Sequence, residues 1–224
     1  MPPMRKVLLM LALVACGGDD DNSTKDASPD GRPVLTLDCP TYCSTIAASC
    51  TGANQQYQDD NHCSATCAKF AVGTSADMGG QNTLGCRLYH AQNAMITQDT
   101  TTHCPHAGPA GAAISAANPA VCGDACTSFC TLEISVCGSL DAPITGAPAQ
   151  YQNMAACMTA CGNFNKSKPL VAGATNSSGD SLACRLYHTT NAAITGNATA
   201  HCPHTGPNGG GNAATCMTGT PPAP

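Results

Sequence analysis

CRLYH stands at Cys86–His90 and again at Cys184–His188. Thirteen residues beyond each terminal His comes HCPH, at His103–His106 and His201–His204. The surrounding chain is rich in Ala, Thr, Gly and Asn, so two identical pairs of strings at one spacing mark an internal duplication. The cysteines carry the same message. Apart from Cys16, they form two sets of eight. The first is Cys39, Cys43, Cys50, Cys63, Cys67, Cys86, Cys104 and Cys122, and the second is Cys126, Cys130, Cys137, Cys157, Cys161, Cys184, Cys202 and Cys216. Both sets open with steps of four and seven, continue with a CxxxC pair, and place the Cys of CRLYH eighteen residues before that of HCPH. The period of about 85–90 residues is too long for a solenoid unit and suits a small stapled domain.

Other residues repeat in register. Tyr42 matches Phe129, Tyr57 matches Tyr151, Phe70 matches Phe164, Asn82 matches Asp180, and Gly108-Pro109 matches Gly206-Pro207. Cys39, Cys43 and Cys50 fall on one helical face, as do Cys63, Cys67 and Phe70. These spacings predict two helices cross-linked side to side. A third helix is expected from an N-cap at Asn82 or Asp180 through CRLYH, with Cys86, His90, Asn93 and Thr97 on one stripe. HCPHxGPxG carries Pro and Gly where a helix tolerates neither, and is expected to be a loop. Strand signals are weak.

There is no Trp, and Phe and Tyr are few, so cross-links must supplement a small core. Each disulfide contributes about 2–4 kcal/mol. Eight Cys permit 105 pairings, and spacing does not choose among them. The expected fold is small, mostly α-helical and disulfide-rich: two tandem repeats of a stapled helical module with long loops, at 39–122 and 126–216, before a disordered tail at 217–224.

The chain opens MPPMRKVLLMLALVAC. Arg5 and Lys6 precede an apolar run at Val7–Val14, too short to span a bilayer, so residues 1–15 read as a signal peptide. Leu13-Val14-Ala15-Cys16 resembles the lipobox of bacterial lipoprotein precursors. That resemblance implies cleavage before Cys16, lipidation of its sulfur and a membrane anchor. Gly17, where inner-membrane retention often uses Asp, leans it towards the outer membrane, facing the periplasm or the cell surface. Residues 16–38 then read as a lipidated Cys and an acidic, disordered tether. The duplicated CRxYH and HCxH modules resemble those of uncharacterised cysteine-rich bacterial lipoproteins, a resemblance that implies no activity. An exported chain also permits disulfides to persist.

Function is sought in what the Cys do not explain. The net charge is −5 and no basic patch offers itself to nucleic acid. No GxSxG, HExxH or P-loop is present, and Glu133 is the sole Glu, so no duplicated carboxylate pair serves acid–base chemistry and no enzyme is expected. Six of the seven His are matched: His90/His188, His103/His201 and His106/His204, leaving His62 alone. Two readings stay open. In one, the chain is a non-catalytic interaction or structural module for an unidentified partner, and the His are polar staples. In the other, three His per repeat bind zinc or copper. Arg87 and Tyr89 then pack or support. A thiolate ligand from Cys104 or Cys202 ranks lower, because it would break an even set of Cys.

Overall fold

Helix starts in this chain are short polar signals that cap exposed N–H groups. Asp38 accepts from Thr41 N and opens α1 (Cys39–Ser49), and Asp59 accepts from His62 N and opens α2 (Asp60–Cys67). Thr83 caps α3 (Leu84–Thr97) and Asp99 caps α4 (Thr100–Ala107). Asp124 caps α5 (Ala125–Cys137), Asn153 caps α6 (Met154–Gly162) and Ser181 caps α7 (Leu182–Ala192). The short α8 (Ala198–His201) runs into a 3-10 turn at Cys202–His204. The computed structural model describes residues 35–114, 120–172, 176–209 and 215–217. Among these, the only β features are isolated bridges, so the fold is helical as expected.

The eight disulfides follow one order in both halves. Cys39–Cys67 and Cys43–Cys63 clamp α1 to α2, as Cys126–Cys161 and Cys130–Cys157 clamp α5 to α6. Cys50–Cys104 and Cys137–Cys202 tie the end of the first helix of each half to HCPH. Cys86–Cys122 and Cys184–Cys216 tie CRLYH to the close of each half.

The Arg of CRLYH is the largest fully buried side chain in each half. Arg87 Nε donates to Gly108 O, Nη1 to Thr83 O and Nη2 to Asn82 Oδ1, while its guanidinium lies 4.1 Å over the Phe70 ring. Arg185 repeats this with Gly206 O, Ser181 O and Asp180 Oδ1, 3.7 Å over Phe164. Asn82 and Asp180 are thus partners of a buried cation, and the caps expected of them fall one residue later, at Thr83 and Ser181. A carboxylate or amide facing a desolvated guanidinium gains more than one facing a helix end in water.

HCPH is helical, against the expectation of a loop. A proline inside a helix costs about 3 kcal/mol. That cost is offset by the Asp99 cap, the Cys50–Cys104 bridge and the packing of α4 along α3. The reversal between α3 and α4 turns on Gln98, whose φ of 58° is the only left-handed backbone at a non-glycine among the described residues. The matched position in the second half is Gly196, at φ 86°. The tether expected to run to residue 38 ends earlier, since Leu35 and Leu37 pack on the first core. The signal peptide, Cys16 and nearly all of the 217–224 tail lie outside the described residues.

The two cores have diverged. Ile46, Ala91 and Ala107 in the first correspond to Glu133, Thr189 and Thr205 in the second. Glu133 is fully buried, with its oxygens 2.6 Å from Thr205 Oγ1 and 2.9 Å from Thr189 Oγ1. Burial pushes its carboxyl from 4.5 up to about 7, against the opposing pull of the two hydroxyls. The halves also touch. Arg87 Nη2 reaches Ser128 Oγ at 3.3 Å, and His62, held 2.7 Å from Asp59, reaches Asn191 Oδ1 at 3.2 Å.

Gln98→Gly is expected to raise stability by about 1 kcal/mol, since glycine adopts the left-handed turn without strain; denaturant unfolding measures this. Glu133 has a folded pKa above its unfolded value. The stability it contributes is complete below about pH 4.5 and is lost as pH rises through about 7. Between pH 5 and 8, Glu133→Gln is expected to lose about 2–3 kcal/mol less stability than the parent, read from urea midpoints at both pH values.

Candidate metal centre

Cys86 and His90 sit four residues apart on α3 and share its inner face. The Cys86–Cys122 bridge fixes that face at one end, and Cys50–Cys104 fixes α4 against it. His90 therefore meets the two histidines of HCPH. Its Nε2 lies 3.2 Å from the carbonyl oxygen of Met78, which can only accept, so Nε2 carries the proton. Nδ1 of the neutral ring is then a lone pair, and it lies 3.0 Å from His103 Nδ1. His106 stands one turn further along α4, its ring 4.9 Å from that of His90. Nδ1 of His106 is buried with no hydrogen-bond partner among the described residues. One ring nitrogen from each of the three lies within 4.8 Å of the others.

The second half repeats the wiring with different flanking residues. His188 Nε2 lies 3.1 Å from Ser177 O, and its Nδ1 lies 3.0 Å from His201 Nδ1. The His204 ring sits 4.6 Å from His188, tilted at 51° where the first half has 82°. That difference follows from the helices. α4 is continuous through His106, whereas α8 ends at His201 and His204 sits on a 3-10 turn.

For His106, His188 and His201 burial favours the neutral ring, the form that binds metal. Burial pushes His188 down to about 4, with His204 and His201 adding to it against the Ser177 carbonyl. Burial likewise lowers His106, helped by His103, and lowers His201, helped by His204 and His62.

All six matched His of the sequence analysis are thus brought together three by three. Cys104 and Cys202 are in disulfides and offer no thiolate. Tyr89 and Tyr187 pack edge-on to His90 and His188 at 5.1 Å. Arg87 does not face the cluster; it anchors the Gly108-Pro109 segment just beyond α4. Sequence reasoning missed the Met78 and Ser177 carbonyls. They are backbone atoms on dissimilar residues, so no side-chain pattern marks them. Asp99 as the cap of α4 was legible in principle, lying three residues before Thr102 and just ahead of HCPH, and was hidden by reading Pro105 as a loop signal.

A helical module stapled by four disulfides and carrying a His triad, present twice, is the class that this fold and site define. The BfoA family C-terminal domain matches residues 37–118 and again 127–218, and the chain belongs to that family. It is similar to bifonsecin B biosynthesis cluster protein A of Aspergillus brasiliensis, with 40% identity over 91 residues, 40% of this chain and 30% of that protein. It is also similar to aurasperone B biosynthesis cluster protein A of Aspergillus niger, with 40% identity over 72 residues, 32% of this chain and 23% of that protein. The chain therefore spans less than a third of these curated relatives, whose names state no enzymatic activity. No solved structure matches.

These findings overturn the resemblance to bacterial lipoproteins. The duplicated modules are those of the BfoA family, and the curated relatives are proteins of Aspergillus. Leu13-Val14-Ala15-Cys16 is a four-residue string of common residue types, too short to carry a family against two module-length matches. Lipidation of Cys16, the membrane anchor and the outer-membrane placement were implied by that resemblance alone, and Cys16 lies outside the described residues.

In the metal-free chain, His188 is expected to titrate near pH 4, well below a free imidazole, as read from ring resonances by NMR. With its folded pKa depressed, the stability it contributes is complete above about pH 6.5 and is lost as pH falls through 4.

Proposed function

We propose that the chain is a rigid, exported, non-catalytic accessory module that holds a transition-metal ion at each His triad. Three neutral imidazoles with room for a further ligand suit zinc or copper. The observation that carries this reading is the paired Nδ1 atoms, 3.0 Å apart in both halves, with one ring's Nε2 tied to a backbone carbonyl. A carbonyl on the far nitrogen is how proteins fix the tautomer and aim of a metal-binding His. Without an ion, the Nδ1 of the second ring donates a hydrogen bond to the lone pair of the first. With an ion, that proton would shift to the second ring's own Nε2, leaving both Nδ1 lone pairs to the metal and both rings neutral. The preserved geometry around unlike residues, Met78 and Ser177, supports a demand on the His rather than on their neighbours. Eight disulfides support an oxidising compartment. The names of the relatives support an accessory role beside biosynthetic enzymes.

The two sites are unequal. The first has its three nitrogens already gathered, whereas His204 must turn to join His188 and His201.

The test is metal content of the full untagged chain, produced in an oxidising compartment and exposed separately to zinc and copper. Elemental and native mass spectrometry are expected to find two ions per chain, the first retained against chelators more than tenfold longer. His103→Ala should remove the tight ion and His201→Ala the weak one, with helical circular dichroism unchanged. A folded chain that retains neither metal would leave the His as polar staples and sink the proposal.

A further inference from the structure

Seven positions separate Cys50 from Tyr57, but fourteen separate Cys137 from Tyr151. The extra residues of the second half form a loop that lies along its own module. Leu140 N donates to Tyr151 O at 2.9 Å, and Asp141 N donates to Gln152 O at 3.1 Å. The Asp141 carboxylate accepts from Gln152 Nε2, and from Asn153 Nδ2 at 2.9 Å.

The first half has the same receiving groups without the loop. Tyr57, Gln58 and Asp59 match Tyr151, Gln152 and Asn153. The carbonyls of Tyr57 and Gln58 accept from the side chain of Gln55, whose Nε2 lies 2.7 and 3.3 Å from them. Gln58 Nε2, the counterpart of the amide that finds Asp141, is buried with no hydrogen-bond partner among the described residues. Beside these groups lies an apolar cavity of about 230 Å³ between α1 and α2, lined by Ile46, Ala47, Gln55, Tyr57, Asp59 and Asp60. The second half meets with its own loop the groups that the first half meets with Gln55 or, at Gln58 Nε2, leaves without a hydrogen-bond partner among the described residues.

We infer that this groove docks an extended segment of a partner protein, which takes the place of the second half's loop. Two successive N–H groups of the segment reach the carbonyls of Tyr57 and Gln58, displacing Gln55, in the manner of strand addition. An acceptor on the segment satisfies Gln58 Nε2. Its identity follows from one difference between the halves. Asn153 donates to the loop's carboxylate, but Asp59 stands in its place and can only accept. A segment with Asp would set two carboxylates against each other. Asn there accepts from Gln58 through its oxygen and donates to Asp59 through its nitrogen. The groove is therefore built for an amide-bearing extended peptide. The inference is independent of the metal sites.

The probe is a fluorescein-labelled peptide of residues 138–148, as GSLDAPITGAP and in its Asp141→Asn form, titrated with the full chain in fluorescence anisotropy. The Asn peptide is expected to bind saturably and at least tenfold more tightly than the Asp peptide, unchanged by EDTA. Gln58→Leu should weaken binding at least fivefold. Ala47→Arg, an exposed position lining the groove, should abolish it while leaving helical circular dichroism intact. Equal affinity for the two peptides, no saturation up to millimolar concentration, or indifference to Ala47→Arg would overturn the inference. So would self-association of the chain lost in Ala47→Arg, since the occupant would then be a second copy.

Discussion

A guanidinium withdrawn from water sets the geometry of each half. Arg87 and Arg185 are at most 1% exposed, and a buried cation left unpaired would cost several kcal/mol. Each answers that constraint with carbonyls from two places, the start of its own helix and the Gly-Pro segment after HCPH. The five donors of the fork leave little freedom in where that segment lies. Once it is placed, α4 and the 3-10 turn of the second half lie against the CRLYH helix, and the histidines meet. The disulfides constrain the same segment from its other end, through Cys50–Cys104 and Cys137–Cys202.

With so much of the fold held by bridges and a polar anchor, the apolar core is free to drift, and the two halves show how. Tyr42 hydrogen-bonds Tyr57 and the Ala107 carbonyl, whereas Phe129 has no hydroxyl and Tyr151 reaches the Thr205 carbonyl alone. Where the first half has an aliphatic trio, the second has Glu133, Thr189 and Thr205, with each carboxyl oxygen meeting one hydroxyl. Such a replacement is tolerated only if every polar atom finds a partner. The His clusters did not drift in this way, although the residues supplying their carbonyls did.

At the triads the same contacts hold structure and suit the proposed ligating role. A hydrogen bond from His90 Nε2 to Met78 O holds the loop before α3, and it also leaves Nδ1 as a lone pair facing His103. Burial that suppresses the charged imidazole removes a competing proton from any metal. The helix that carries HCPH decides how nearly complete each triad is, so the break after α8 makes the second site the less finished one.

Much of this molecule is written in local patterns. The duplication, the helical class, the side-by-side clamping by CxxxC pairs and the six matched His were legible from spacing, because a helix maps sequence separation directly onto a face. The lipobox resemblance misled because four residues carry too little information to identify a family. The caps at Thr83 and Ser181 and the helix through Pro105 were not legible, since each depends on a partner remote in sequence: a buried guanidinium in the first case, a disulfide and a neighbouring helix in the second. The choice among 105 pairings, the meeting of three imidazoles and the different partners that the two halves give to matched groups are likewise decisions of the tertiary structure. Sequence alone determined which residues are duplicated. Only packing determined which atoms face one another, because backbone carbonyls and buried charges leave no mark in a one-dimensional string.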